Sequence, residues 1–163
     1  MSSPYGYACV PKMGGGSMAA PLPQIQSGGP ATPPSNDPYA PWRARCVQQT
    51  NAFRARLNLS QLVQRVDKET CADVDAQGDA ATGKAHGGSG HCGFRAQNEC
   101  PGWAGNNDHV VSECLNMMFA EGPGEPYAEH GHYINMTRPH YTGVACGFFR
   151  AANGKLWVVQ NFY

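Results

Sequence analysis

The stretch HGHYINMTRPHYTGVACGFFRAANGKLWVVQNFY, residues 130–163, decides the fold. It holds two apolar runs, GVACGFFRA from Gly143 and KLWVVQNFY from Lys155, of strand length and rich in the β-branched and aromatic residues that suit a pleated, half-buried surface. Ala152, Asn153 and Gly154 separate them, and an Asn-Gly pair between apolar runs is a strong hairpin signal because both residues tolerate positive φ. The chain therefore ends in a β-hairpin.

Upstream of that hairpin the period changes. HVVSECLNMMFAEG, from His109, puts Val110, Val111, Cys114, Leu115, Met118 and Phe119 on one broad face of a helix, with Asp108 as the expected N-cap. RARCVQQTNAFRARLNL, from Arg43, has the same helical spacing after Trp42. A turn at 58–61 follows, and Asp67 or Thr70 opens a second helix that Gly83 terminates. The Gly-rich segment AHGGSGHCGFRAQNECPGWAGNND, residues 85–108, reads as an irregular loop, and so does GPGEPYAEHGHYINMTRP, residues 122–139. Residues 1–41, dominated by Gly, Pro, Ser and Ala, have too little periodic apolar content to form a core and read as a leader or linker. The domain then spans residues 42–163.

Composition narrows the function. The 163 residues carry 12 basic and 12 acidic side chains, with no basic run to match a nucleic-acid backbone, which excludes nucleic acid as the expected partner. Apolar stretches are only a few residues long, so no membrane span is expected. Seven cysteines, dispersed rather than set in paired CxxC knuckles, point to disulfides rather than structural zinc, and so to an extracellular or cell-surface protein. The first residues, MSSPYGYACVPKMGG, lack the basic start and apolar centre of a signal peptide. With an odd count, Cys9 in the leader is the expected leftover thiol. The bridges fall among Cys46, Cys71, Cys92, Cys100, Cys114 and Cys146; Cys92 with Cys100 across the Gln97 loop, and Cys114 with Cys146 between helix and sheet, are the arrangement considered, their connectivity open.

The C-terminal third resembles the CAP superfamily, which includes cysteine-rich secretory proteins and plant pathogenesis-related class-1 proteins. Gly131, His132, Tyr133, Asn135 and Met136 match its Gly-His-Tyr/Arg-x-Asn-Met signature, and the YTGV and WVVQNF segments match its following strands. MFAEG, residues 118–122, resembles the end of the family's third helix, which would make Glu121 an acidic cleft residue; Met118 replaces the usual Trp. KAHGG resembles the segment bearing the first cleft histidine, making His86 the preferred equivalent and His91 its competitor. AQN, residues 96–98, resembles the Gly-Glu-Asn motif, with Gln97 where the family supplies a glutamate and Glu99 two residues on. The resemblance implies a three-layer α-β-α sandwich with a small antiparallel sheet, preceded here by the extended Gly/Pro-rich leader.

The cleft implied by this resemblance contains His86, Gln97, Glu99, Glu121 and His132. Two neutral imidazoles with a carboxylate or water satisfy a tetrahedral zinc ion, so His86 and His132 are the candidate metal ligands, and Zn the candidate cofactor. The same histidines serve equally well as loop-locking hydrogen-bond partners, His132 to Glu121 above all. For hydrolysis the candidates are Glu121 as general base and His132, but Gln97 removes one base and one negative charge, which disfavours an enzyme. The expectation is a non-catalytic binding scaffold for a small apolar or lipid-like ligand or an extracellular protein, in which Met117, Met118, Phe119, Tyr127, Tyr133 and Met136 line an apolar groove or pack in the core. Trp103, between turn residues, is a half-covered aromatic or the plug of its loop. Alternatives are a zinc-dependent or weak hydrolase, and a self-assembling subunit whose residues 1–41 join a neighbouring copy as a homo-oligomer.

Overall fold

A computed structural model describes residues 36–87 and 91–163. Four helices and four strands follow in the order α1 (Ala40–Arg56), β1 (Val63–Gln64), α2 (Val66–Thr82), β2 (Ala96–Trp103), α3 (Asn107–Ala120), α4 (Tyr127–Thr137), β3 (Gly143–Arg150) and β4 (Leu156–Phe162). The strands form one sheet in the order β1-β3-β4-β2, antiparallel except where the short β1 runs parallel to β3. The fold is the expected α-β-α sandwich. Cys9 and most of the leader, up to residue 35, lie outside the described residues.

Alternation along the hairpin sorts the layers. Val144, Cys146 and Phe148 of β3 and Leu156, Val158 and Phe162 of β4 enter one core with α1, α3 and Met136 of α4. Ala145 of β3 and Trp157 and Val159 of β4 face the other way, against Ala72 and Ala76 of α2. The period of two is what a sheet covered on both faces requires. The hairpin turns at Gly154, whose φ is 78°, and the Asn153 side chain accepts the Lys155 N–H.

On the second face, the alanines at 72 and 76 make α2 flat enough to lie directly on β3. A Cβ added at Gly147 would come within 2.2 Å of the Ala72 carbonyl carbon and oxygen. On the first face, Arg54 is fully buried and donates to the carbonyls of Ser60 (2.8 Å), Met136 (2.9 Å) and Arg138 (3.1 Å), which holds the turn after α1 against the end of α4. Arg43 joins the layers. It pairs with Asp37 and with both oxygens of Asp73 on α2 and donates to the Cys146 carbonyl, and these carboxylates outweigh the burial that would otherwise make the guanidinium less basic.

Two segments expected as loops are regular. Ala96–Trp103 is strand β2, because its backbone pairs with β4 from Ala96↔Phe162 to Cys100↔Val158, with a register irregularity before Trp103 at the Pro101–Gly102 pair. Tyr127–Thr137 is helix α4; the glycines and histidines that suggested a loop lie at or before its first turns, while Asn135 and Met136 are buried behind them. The first helix begins at Ala40, two residues inside the stretch read as leader. The N-cap of α3 is Asn106, whose side chain accepts from the His109 N–H at 2.8 Å, and Asp108 occupies the first turn instead.

The disulfides are Cys46–Cys146, Cys71–Cys92 and Cys100–Cys114. The Cys92–Cys100 and Cys114–Cys146 pairings do not form, since Cys92 lies against Cys71 at the start of α2 and Cys100, on β2, faces α3. The third helix is bridged to the sheet, as expected, but through β2 rather than β3. Each bridge restricts the unfolded chain by about 2 to 4 kcal/mol.

Gly147→Ala is expected to destabilise the domain by about 3 kcal/mol or more, because the added methyl must move the backbone of α2 rather than a flexible side chain. Denaturant unfolding measures it. Wild-type stability in that variant would show that α2 is not held where the structure places it.

Candidate functional site

Glu121, the residue after α3, organises the site. Its Oε2 accepts the backbone N–H of His132 (3.0 Å) and Tyr133 (3.3 Å), and its Oε1 lies 2.5 Å from His132 Nδ1. Both carboxylate oxygens are therefore occupied by α4. His130 belongs to the same junction, with Nδ1 2.8 Å from the Glu121 carbonyl and 3.0 Å from that of Gly122, where it satisfies carbonyls at the end of α3.

Across a small cleft of about 190 Å³, lined by His86, Gln97, Tyr127, Gly131, His132 and Asn135, lies a second polar chain. His86 Nδ1 is 2.8 Å from Gln97 Oε1, Gln97 donates to Asn161 (2.8 Å), and Asn161 donates to Asp75 on α2 (2.9 Å). Competing His91 is exposed beside Cys92 and does not line this cleft. On the opposite face of β2, Asn98 donates to the His132 carbonyl (3.1 Å) and accepts from Asn135 (3.0 Å), which in turn accepts from the Tyr127 hydroxyl (3.1 Å). These amides lock α4 to β2. Sequence reasoning missed Asn98, Gln160, Asn161 and Asp75 as parts of the site, although amides inside the apolar run LWVVQNF were a usable signal: a buried amide must find partners.

Glu99 is buried between β2 and α2, and its Oε2 accepts the His86 backbone N–H at 2.7 Å. Burial pushes its carboxyl up to about 8, helped by the charges of Asp79 and Asp75. Burial likewise pushes the Asp75 carboxyl up.

A larger groove, about 340 Å³, opens beside these residues. Pro101, Trp103, Cys114, Met117 and Met118 form its apolar wall, and Glu99, Glu121 and His132 its polar end. Met117 is 60% exposed, whereas Met118 is buried. Phe119 packs elsewhere, stacked on Phe53 and tilted against Tyr133, and Met136 is in the core. Among the described residues no three His, Cys, Asp or Glu side chains converge in a way that could hold a metal ion. The two imidazoles share their cleft with the Gln97 and Asn135 amides and the Tyr127 hydroxyl, and no carboxylate among the described residues lines it.

This chain belongs to the CAP, or cysteine-rich secretory protein, family, whose pattern it matches over residues 47–162. Among solved structures, BmVAL-1 is similar at 17% identity, with a TM-score of 0.59 over 83% of this chain and 79% of that one. Hookworm platelet inhibitor aligns at 13% identity and TM-score 0.53 over 74% and 68% of the two chains. An outer surface protein from Borrelia burgdorferi aligns at 12% and 0.55 over 76% and 92%. At these identities the likeness is one of fold. Compared by sequence with curated proteins, the chain has no significant match.

The raised Glu99 carboxyl has a signed consequence. The folded protein keeps this proton up to about pH 8, whereas an unfolded glutamate releases it near 4.5. The contribution of Glu99 to stability is thus fully present below 4.5, falls as pH rises towards 8 with a slope of at most about 1.4 kcal/mol per pH unit, and levels off above that. Glu99→Gln keeps an acceptor for the His86 N–H and removes the ionisation. Thermal melts across this range should show a flatter profile and a higher melting temperature at pH 8 than wild type; an unchanged profile would contradict the assignment.

Proposed function

We propose that the domain is an extracellular, non-catalytic binding module that holds a small ligand with an apolar body in the groove beside Trp103. One observation carries this reading: an exposed methionine, Met117, lines one concavity of about 340 Å³ with a tryptophan, a proline and a disulfide-bonded cysteine, a size typical of small-molecule sites. Single exposed apolar residues are ordinary, but a concave run of sulfur-bearing and aromatic side chains adapts to lipid-like shapes. Three disulfides suit the oxidising surroundings that this reading assumes.

The residues beside the groove favour binding over turnover. Glu121 already accepts from His132 and Tyr133, which commits it to holding α4. Gln97, an amide, accepts no proton. His86 serves to position the segment after α2 and His132 to position α4, and the reading requires no metal ion.

A neutral environment-sensitive dye such as N-phenylnaphthylamine is expected to bind and brighten with the wild-type protein. Met117→Lys, at an exposed position, should weaken that binding at least about ten-fold with little change in melting temperature. Undiminished dye binding in the variant would remove the groove from consideration.

A further inference from the structure

Resting on the groove as the ligand site, the charge pattern around it specifies the ligand further. The apolar wall ends at two carboxyl-bearing residues, Glu99 and Glu121, and an imidazole, and among the described residues no lysine or arginine lines the groove. Of the two acids, Glu121 is the one that reaches solvent, with its side chain 24% exposed, while Glu99 is buried. An acidic head group placed there would meet the Glu121 carboxylate and no lysine or arginine. A neutral one would gain only a hydrogen bond.

The aromatic at the groove adds a second argument. Trp103 is half-buried and lines the same concavity as Glu121, and an indole face is the best side-chain partner for a cation, above all for one too bulky or alkylated to be tightly hydrated. A carboxylate with an indole, beside two methionines and a proline, matches one ligand chemistry on both of its parts. We infer that the groove takes a cationic amphiphile, an alkyl chain or similar apolar body bearing an ammonium or quaternary ammonium head, with Glu121 and Trp103 receiving the head and Met117, Met118 and Pro101 receiving the body.

Three ligands with the same tail separate the possibilities: decyltrimethylammonium, decanol and decyl sulfate, each below its micelle-forming concentration and titrated calorimetrically into the disulfide-intact chain, with circular dichroism confirming that the fold persists. The ammonium compound is expected to bind about ten-fold more tightly than the alcohol, and the sulfate most weakly. Glu121→Gln, which retains an acceptor for the His132 and Tyr133 N–H groups, should erase most of that preference by bringing the ammonium and alcohol affinities together. Trp103→Leu, which keeps an apolar wall, should reduce the preference independently and protects the test against a Glu121 variant that fails to fold. Equal binding of all three overturns the head-group assignment and leaves the groove intact as an apolar site. Binding of none overturns the groove reading, and the assignment with it.

Discussion

The contact that the rest of the molecule depends on is the one between the backbone of α2 at Ala72 and the backbone of β3 at Gly147, too close for even a methyl group. It sets the depth of the whole second layer. With α2 pressed onto the sheet, Asp75 and Asp79 arrive within reach of Asn161 and Glu99, and the segment after α2 emerges where His86 meets both Glu99 and Gln97. A bulkier residue at either position would lift the helix and separate those partners. The polar site is thus a product of apolar packing several residues away, a coupling that close-packed interiors impose.

Much of this was legible from the sequence where local chemistry and tertiary demand agree. The hairpin announced itself through two strand-length runs and an Asn-Gly turn; α3 announced itself through a broad apolar face. The Glu121–His132 contact followed from resemblance alone. What stayed hidden was β2, because AQNECPGW is polar, contains Pro and Gly, and becomes a strand only when β4 offers it hydrogen bonds. Helix α4 was hidden for a related reason: its sequence is poor in apolar residues on any one face, and it is held to β2 by amide pairs rather than by a hydrophobic stripe. Disulfide connectivity was beyond reach, since it depends on which Cβ atoms the finished fold brings within bonding distance.

The interior polar groups divide by task. Asn98, Asn135 and Gln160 fix one helix on one face of β2, whereas Gln97, Asn161 and Asp75 fix another on the opposite face. Glu99, between α2 and the cleft, has its carboxyl pushed up to about 8, because burial beside two further acids disfavours another charge there. The groove draws its walls from residues outside this lattice, Met117 and Trp103 foremost. Its shape can therefore vary without disturbing the amides beneath.

The Cys46–Cys146 bridge joins α1 to β3 across a sequence separation of 100 residues. Every peptide bond between those two cysteines lies inside a single covalent ring, including those of the segment that carries His86 and of the turns either side of α3. A protease that cuts any one of them opens the ring without dividing the molecule, and the smaller rings through Cys71–Cys92 and Cys100–Cys114 retain local fragments in the same way. A nick in any exposed turn between Cys46 and Cys146 therefore leaves one molecule rather than two, a form of durability separate from thermodynamic stability.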